Sequence, residues 1–414
     1  MSSLKILVGS LLSILAIQSA SAAPAKYQSS PLYGDKKLSD FYEWKNKIPS
    51  QPGLLLRSEP LNEGIRLPEG GEQYRILFTS TDGIDGKSPV VVSGSLFLPK
   101  GKAPKDGWPL LVWGHGTVGL ADQCAPSWAG RVYRNEQYLD QWLKQGFAIV
   151  EPDYQGLGVA GPHWLIHVPQ LSYNILDSAR AALKSGHNIS NKVIIAGQSQ
   201  GGAAAFGAAS YSASYAPDLN VKGTIATGVI YKKQDEQLPI LNQVNKYTPN
   251  PAIAYQILSF LVQQQLDPTL KASEVFTEKA VPLVEHSRSQ CVDQIFSDVA
   301  FEKLTTANAL LDQPSEKYKK LQENFEKSYG YYPTLKINHP VFIGTGANDR
   351  TPDARTQVQL VKDACAAGTQ VQSHLYHGLG HSEAVPRSLQ DAIPFAKLAL
   401  NDQPIPNTCS VNFK

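Results

Sequence analysis

Charge is scarce in this 414-residue sequence: Asp, Glu, Lys and Arg make up 18% of it, against about 25% in a typical globular domain, and the net charge is +2. There is no basic surplus or stripe, so the electrostatic footprint of nucleic-acid binding is missing. There is also no long block of like charge and no shortage of apolar residues, which excludes a disordered chain. Methionine occurs once, as Met1, and cysteine four times without a C-x-x-C pair, which argues against a zinc site. No stretch beyond the N-terminus approaches the roughly 20 apolar residues that cross a bilayer. Internal repeats and low-complexity segments are absent. Length, in contrast, is in surplus. The chain exceeds the roughly 50–250 residues of one ordinary domain, so it holds either two domains or one large fold with an insertion.

Residues 1–22 have the parts of a secretory signal peptide. Lys5 makes the positive start, 6–17 is an uncharged, mostly apolar run too short to span a bilayer, and Ala20-Ser21-Ala22 is a small-x-small cleavage pattern. They predict export, periplasmic or extracellular, with cleavage near Ala22 and no membrane segment in the mature chain. In an oxidising compartment Cys124, Cys291, Cys365 and Cys409 are expected to form two disulfides. Four cysteines allow three connectivities, and spacing does not choose among them.

Residues 23–72, rich in Pro, Gly and Ser, read as an irregular N-terminal extension. From Tyr74 onward the pattern changes. Two β-rich runs, 74–80 and 90–99, flank Asp82-Gly83 and Asp85-Gly86, a hairpin signal. Short apolar strands at 108–113, 147–151, 193–196 and 223–230 then alternate with helical patterns at 134–144, 170–183 and from Gly201. This rhythm implies a mostly parallel sheet with helices on both faces. It pauses over 231–338, where the composition is helical and 251–266 and 296–311 are the clearest segments. Strands at 340–343 and 370–376 and helices at 352–366 and 386–400 resume it. The expectation is one α/β core, 73–230 with 339–414, interrupted by a helical lid or cap at 231–338.

The most informative residues are Gly197-Gln198-Ser199-Gln200-Gly201, a Gly-x-Ser-x-Gly between a buried strand and a small-residue helix. A serine on that sharp turn stands above the sheet at the positive end of the helix, and flanking glycines avoid clashes. Ser199 is therefore the expected nucleophile. Its hydroxyl needs a base, and the base needs an orienting acid. In α/β-hydrolases these follow in the order Ser, acid, His. Asp349, in a loop after the strand at 340–343, is the expected acid, while Asp353 is better suited to capping the next helix. His374, His377 and His381 cluster after the last strand. His381, in the glycine-flanked Gly378-Leu379-Gly380-His381-Ser382, is preferred, with His377 as the fallback. Backbone N–H groups must meet the oxyanion. One donor is expected from Gln200 and the second from Gly116 or Thr117 in Gly114-His115-Gly116-Thr117-Val118-Gly119, with His115 structural. His163 and His167 lie at helical spacing but have no adjacent Glu or Cys, and the chemistry calls for neither metal nor cofactor.

With these pieces in place the chain resembles the secretory lipases of the α/β-hydrolase superfamily, known from fungal lipase A-type enzymes and bacterial relatives. Gly-His-Gly-Thr-Val-Gly followed by Cys124-Ala125-Pro126-Ser127, and Asp153-Tyr154-Gln155-Gly156-Leu157-Gly158, carry the resemblance together with the serine, Asp349 and His381 segments. It implies a Ser199, Asp349, His381 triad, hydrolysis of carboxylic esters, and the pairings Cys124–Cys291 and Cys365–Cys409. The residues beside the serine depart from the family, since many members carry Tyr or Gly where this chain has Gln198 and Gln200. Triacylglycerol lipase is the activity the resemblance favours, with lid contact at a lipid interface. A short-chain or aromatic carboxylesterase is the alternative. A serine peptidase would bring a propeller or acidic subsites, and a catalytically silent binding protein would have lost a triad member. The apolar run Ile257, Leu258, Phe260, Leu261 and Val262 fits either an acyl groove or lid, or the core of the insertion itself.

Overall fold

The computed structural model describes residues 22–233 and 245–409. The expected signal segment lies outside these apart from Ala22. Nine strands form the main sheet: β1 (Leu55–Pro60), β2 (Gly70–Thr81), β3 (Pro89–Pro99), β4 (Trp108–Gly114), β5 (Ala148–Pro152), β6 (Ile189–Gln198), β7 (Val221–Thr227), β8 (Val341–Gly346) and β9 (Val371–Tyr376). They lie in the order β9-β8-β7-β6-β4-β5-β3-β2-β1. The six strands from β9 to β5 in that order pair in parallel, whereas β5 with β3, β3 with β2 and β2 with β1 pair antiparallel. The order reverses between β4 and β6, and the crevice beyond the carboxyl ends of strands at such a reversal is where open α/β sheets place their sites.

Eight helices of ten residues or more are found among the described residues. They are α1 (Tyr133–Lys144), α2 (Val168–Leu183), α3 (Gln200–Tyr215), α4 (Ile253–Leu266), α5 (Val292–Phe301), α6 (Glu316–Glu326), α7 (Ala354–Ala366) and α8 (Ala384–Leu400). The central strands are apolar without interruption because both faces are covered. Leu110, Val112, Val193 and Ile195 pack toward α2 and α3, while Leu111, Trp113, Ile194 and Ala196 pack toward α1 and α8. The side-chain period of two thus sorts neighbouring residues to opposite layers. Among the described residues no helix is long and apolar enough to cross a membrane.

Two segments differ from the sequence-based expectation. Within 23–72, Leu55–Pro60 is an edge strand with a register shift between Leu55 and Arg57, where Pro60 is tolerated because it ends the strand. The helix expected over 296–311 is two helices. The first ends at Phe301, Lys303 takes a left-handed turn (φ 49°), and the Thr305 hydroxyl caps the short helix Thr306–Ala309 by accepting from Asn308 N–H. A Ser, Thr, Asn pattern inside an apolar periodicity marks a cap of this kind.

Helices α4 to α6 lie in sequence between β7 and β8 and pack into one hydrophobic core together with Leu120, Trp164, Leu165, Ile166, Ala203 and Ile230. Ile257, Leu258, Phe260, Leu261 and Val262 are at most 1% exposed and share that core with Phe276, Val284 and Ile295. The run is thus buried where the insertion meets the helix that follows Ser199. Cys124 is bonded to Cys291 and Cys365 to Cys409. The first disulfide ties the insertion at the N-cap of α5 to the segment after β4.

The N-terminal extension is pinned by two carboxyls. Asp35 accepts from Ser30 and Gly161 N–H groups, and Asp122 accepts from Lys36 N–H. Burial raises Asp35 to about 6 and Asp122 to about 7, in each case against hydrogen bonds that favour the charged form. A carboxyl raised on folding stabilises the fold fully below its unfolded value of about 4, and the contribution is lost as pH rises through its folded value. Asp122→Asn should therefore gain stability over the wild type near pH 8 and not near pH 4, by about 1–4 kcal/mol in urea unfolding. An equal change at both pH values would contradict a raised carboxyl.

Candidate active site

Ser199 sits between β6 and α3 with φ 61° and ψ −120°, a strained conformation for a residue with a side chain. The packing around it explains how the strain is held. A Cβ added at Gly201 would lie 1.8 Å from the Gly114 carbonyl oxygen, and one at Gly197 would lie 1.9 Å from the Gly201 oxygen. Glycine at both positions lets α3 dock directly on the end of β4. Ser199 N–H donates to Thr227 O at the end of β7 (3.0 Å), and the serine is 8% exposed.

The expected acid and base lie in loops after β8 and β9. His381 Nδ1 is 2.8 Å from Asp349 Oδ2. Asp349, buried at 3% exposure, also accepts from Thr351 N–H at Oδ1 (2.8 Å) and from Gln357 Nε2 at Oδ2 (2.9 Å). Both carboxylate oxygens are acceptors, so the His381 Nδ1–H is the donor and Nε2 keeps its lone pair. Asp353 is the N-cap of α7, accepting from Arg355 N–H. His377 is exposed, and His374 lies stacked between Phe342 and Tyr376. Of the three clustered histidines, only His381 is hydrogen-bonded to Asp349.

On the opposite side of the serine lies the loop 115–119. A Cβ on Gly116 would approach Ser199 Cβ to 3.6 Å, so this glycine lines the serine directly. His115 is structural in its contacts: its ring nitrogens meet Gly116 O and Asp153 O, and it packs on Tyr154 with ring centroids 4.3 Å apart. Gly119 bridges to Cys291, and Val292 N–H donates to Val118 O, so the loop is fastened to the insertion. Gln200 opens α3, where first-turn N–H groups have no helical partner. Its side chain is turned into the core, where Nε2 donates to Leu165 O and to His163 Nε2. Burial lowers His163 to about 3, which keeps it neutral, with Nδ1–H on Gln155 O and Nε2 accepting. His167 is the N-cap of α2, its Nδ1 accepting from Gln170 N–H. Neither histidine is part of a metal-binding group among the described residues.

The sheet and its serine turn define an α/β-hydrolase. Residues 131–404 match the secretory lipase family. The chain is 25% identical over 352 residues to the secreted triacylglycerol lipase LIP3 of Malassezia globosa, covering 80% of this chain and 72% of that one. Among solved structures it resembles Candida antarctica lipase A (TM-score 0.68, 19% identity, 92% of this chain and 88% of that one). It also resembles the rice cell wall degrading esterase LipA of Xanthomonas oryzae (TM-score 0.66, 19% identity, 86% of this chain and all of that one). At these identities the structural likeness bears on the fold. The chain belongs to the secretory lipase family, and it is a secreted carboxylic ester hydrolase.

Three residues of the site escape sequence reasoning. Gln357, on α7, steadies Asp349 through a helical residue with no motif to mark it. Gln198 reaches His381, as described below. Gly228, just past β7 with φ 55°, lies under the imidazole, where an added Cβ would come within 2.7 Å of His381 Cε1 and 2.9 Å of Nδ1. The one signal in the sequence is a glycine immediately beyond a parallel strand. Gly228→Ala should displace the ring and lower kcat/KM for a short ester by about a hundredfold while the protein stays folded. Wild-type kcat/KM in a folded variant would show that the ring does not rest on this position.

Proposed function

We propose that the chain is a triacylglycerol lipase that works through an acyl-enzyme on Ser199. The Asp349–His381 hydrogen bond of 2.8 Å, beside a serine held at φ 61°, carries this reading. His381 Nε2 takes the Oγ proton as Oγ attacks the ester carbonyl, then returns it to the leaving alcohol, and Asp349 keeps the imidazole in the required tautomer. Water repeats the sequence on the acyl-enzyme. The oxyanion is met by Gln200 N–H and by an N–H of Gly116 or Thr117, donors that cost no reorganisation because backbone already fixes them. Residues 231–338 act as a lid or cap at the lipid interface, 73–230 with 339–414 as the catalytic core, and 1–22 as the export signal. The substrate class follows from family membership and from the name of the Malassezia globosa relative.

A carboxylesterase on shorter esters is the second reading. The burial of Ile257 to Val262 favours it, because in this conformation the run is covered by core residues rather than turned to a lipid surface.

Ser199→Ala should lower ester turnover by about 10⁴–10⁶-fold with an unchanged fold, and wild-type protein should be labelled at Ser199 by an organophosphate. Undiminished turnover in the variant would reject the nucleophile. p-Nitrophenyl esters from short to long acyl chains, with and without emulsion, separate the two readings. Steep activation at the interface is the lipase result, and preference for the shortest chains without activation is the esterase result.

A further inference from the structure

Gln198 precedes the nucleophile, is 1% exposed, and connects the base to α1. Arg134 Nη2 donates to its Oε1 (3.3 Å), and its Nε2 lies 2.9 Å from His381 Nε2. A guanidinium only donates, so the contact with Arg134 fixes which end of the carboxamide is oxygen and turns the NH2 toward the imidazole. His381 is oriented by the same logic from its other side, where Asp349 can only accept. The hydrogen bonds therefore run in one direction, from Arg134 through Gln198 and His381 to Asp349. Their effect is to occupy the lone pair that a general base must offer to the serine hydroxyl. Among the hydrogen bonds of the described residues, none joins Ser199 Oγ to His381.

The other end of the carboxamide is equally suggestive. A Cβ on Gly116 would come within 2.9 Å of Gln198 Oε1, so the amide has its carbonyl against the oxyanion-side loop and its NH2 on the base. An ester group poised for attack on Ser199 needs that same slot. Arg134, which holds the amide there, is anchored by Nη1 on Ser382 Oγ (2.9 Å) in the base's own loop. Burial lowers its guanidinium from the ordinary range, against the opposing charges of Glu383, Asp293 and Tyr255.

We propose that Gln198 caps the base in the resting enzyme, and that ester binding displaces its carboxamide so that Ser199 Oγ–H takes its place at His381 Nε2. The cap is an autoinhibitory contact built into the turn itself. It rests on the assignment of Ser199 and His381 given above.

The test uses the secreted enzyme with Gln198→Met, which keeps the volume and removes both polar atoms, and Arg134→Met, which leaves Gln198 in place but frees its amide. The rate of Ser199 labelling by a small organophosphate should rise roughly threefold to tenfold in Gln198→Met, the equivalent of one net hydrogen bond, and less in Arg134→Met. Slower or unchanged labelling in a folded Gln198→Met would make Gln198 a scaffold residue and overturn the cap. If Gln198→Met fails to fold, Arg134→Met decides between the same two outcomes. Adding Ser199→Ala to Gln198→Met distinguishes the two levels of the argument. Persistent labelling or turnover in that double variant means the nucleophile assignment has failed rather than the cap.

Discussion

A serine in a left-handed backbone must be held there by its surroundings, and around Ser199 the holding is done by backbone packed on backbone. Helix α3 reaches the end of β4 because Gly197 and Gly201 offer no Cβ to separate them. That approach brings the N-terminus of α3, Ser199 and the loop 115–119 to one point. The Ser199 N–H on Thr227 O ties the turn to β7, and Gly228 just beyond leaves room for the His381 ring. Glycine is required at these places for space, and the geometry of the site depends on three strand ends meeting without side chains between them.

The insertion is attached to this arrangement without being part of the sheet. Its core is built from α4 to α6 and is continuous with Leu120, Trp164, Leu165, Ile166 and Ala203, next to the serine turn. The Cys124–Cys291 disulfide and the Gly119 bridge to Cys291 join it to the chain just beyond the serine-facing loop. Any rearrangement of the insertion is thereby felt at the loop expected to supply an oxyanion donor. Arg134 bonds Gln198 and Ser382, and so braces the carboxamide beside His381 from α1.

Much of the core was legible in the sequence because strong local patterns agreed with the tertiary fold. The strands around Leu110, Val193 and Phe342 read as unbroken apolar runs, which is what burial on both faces demands. The edge strand Leu55–Pro60 was not legible, because an edge needs neither alternation nor a hydrophobic run, and proline at its end reads as a breaker. The break near Lys303 was missed because apolar spacing continues through it while the caps do not. Gly-x-Ser-x-Gly and the loops of Asp349 and His381 could be found because the spacing of a turn and the order of strand ends are written along the chain. Gln357 and Gly228 could not, because their roles exist only where distant segments touch.

The sequence by itself therefore determined the α/β layering, the place of the serine turn, the order of acid and base candidates, and the segment that interrupts the sheet. Each of these depends on residues near one another along the chain. Only the tertiary structure decided that His381 rather than His377 pairs with Asp349, and that the apolar run of α4 is buried in a core shared with the helix after Ser199. Only it could show that the carboxamide of Gln198 meets the imidazole. Residues 198 and 381 are far apart in the chain, and no periodicity or spacing encodes which end of an amide faces a ring nitrogen. That is set by Arg134 and Asp349, whose donors and acceptors are brought to either side by folding.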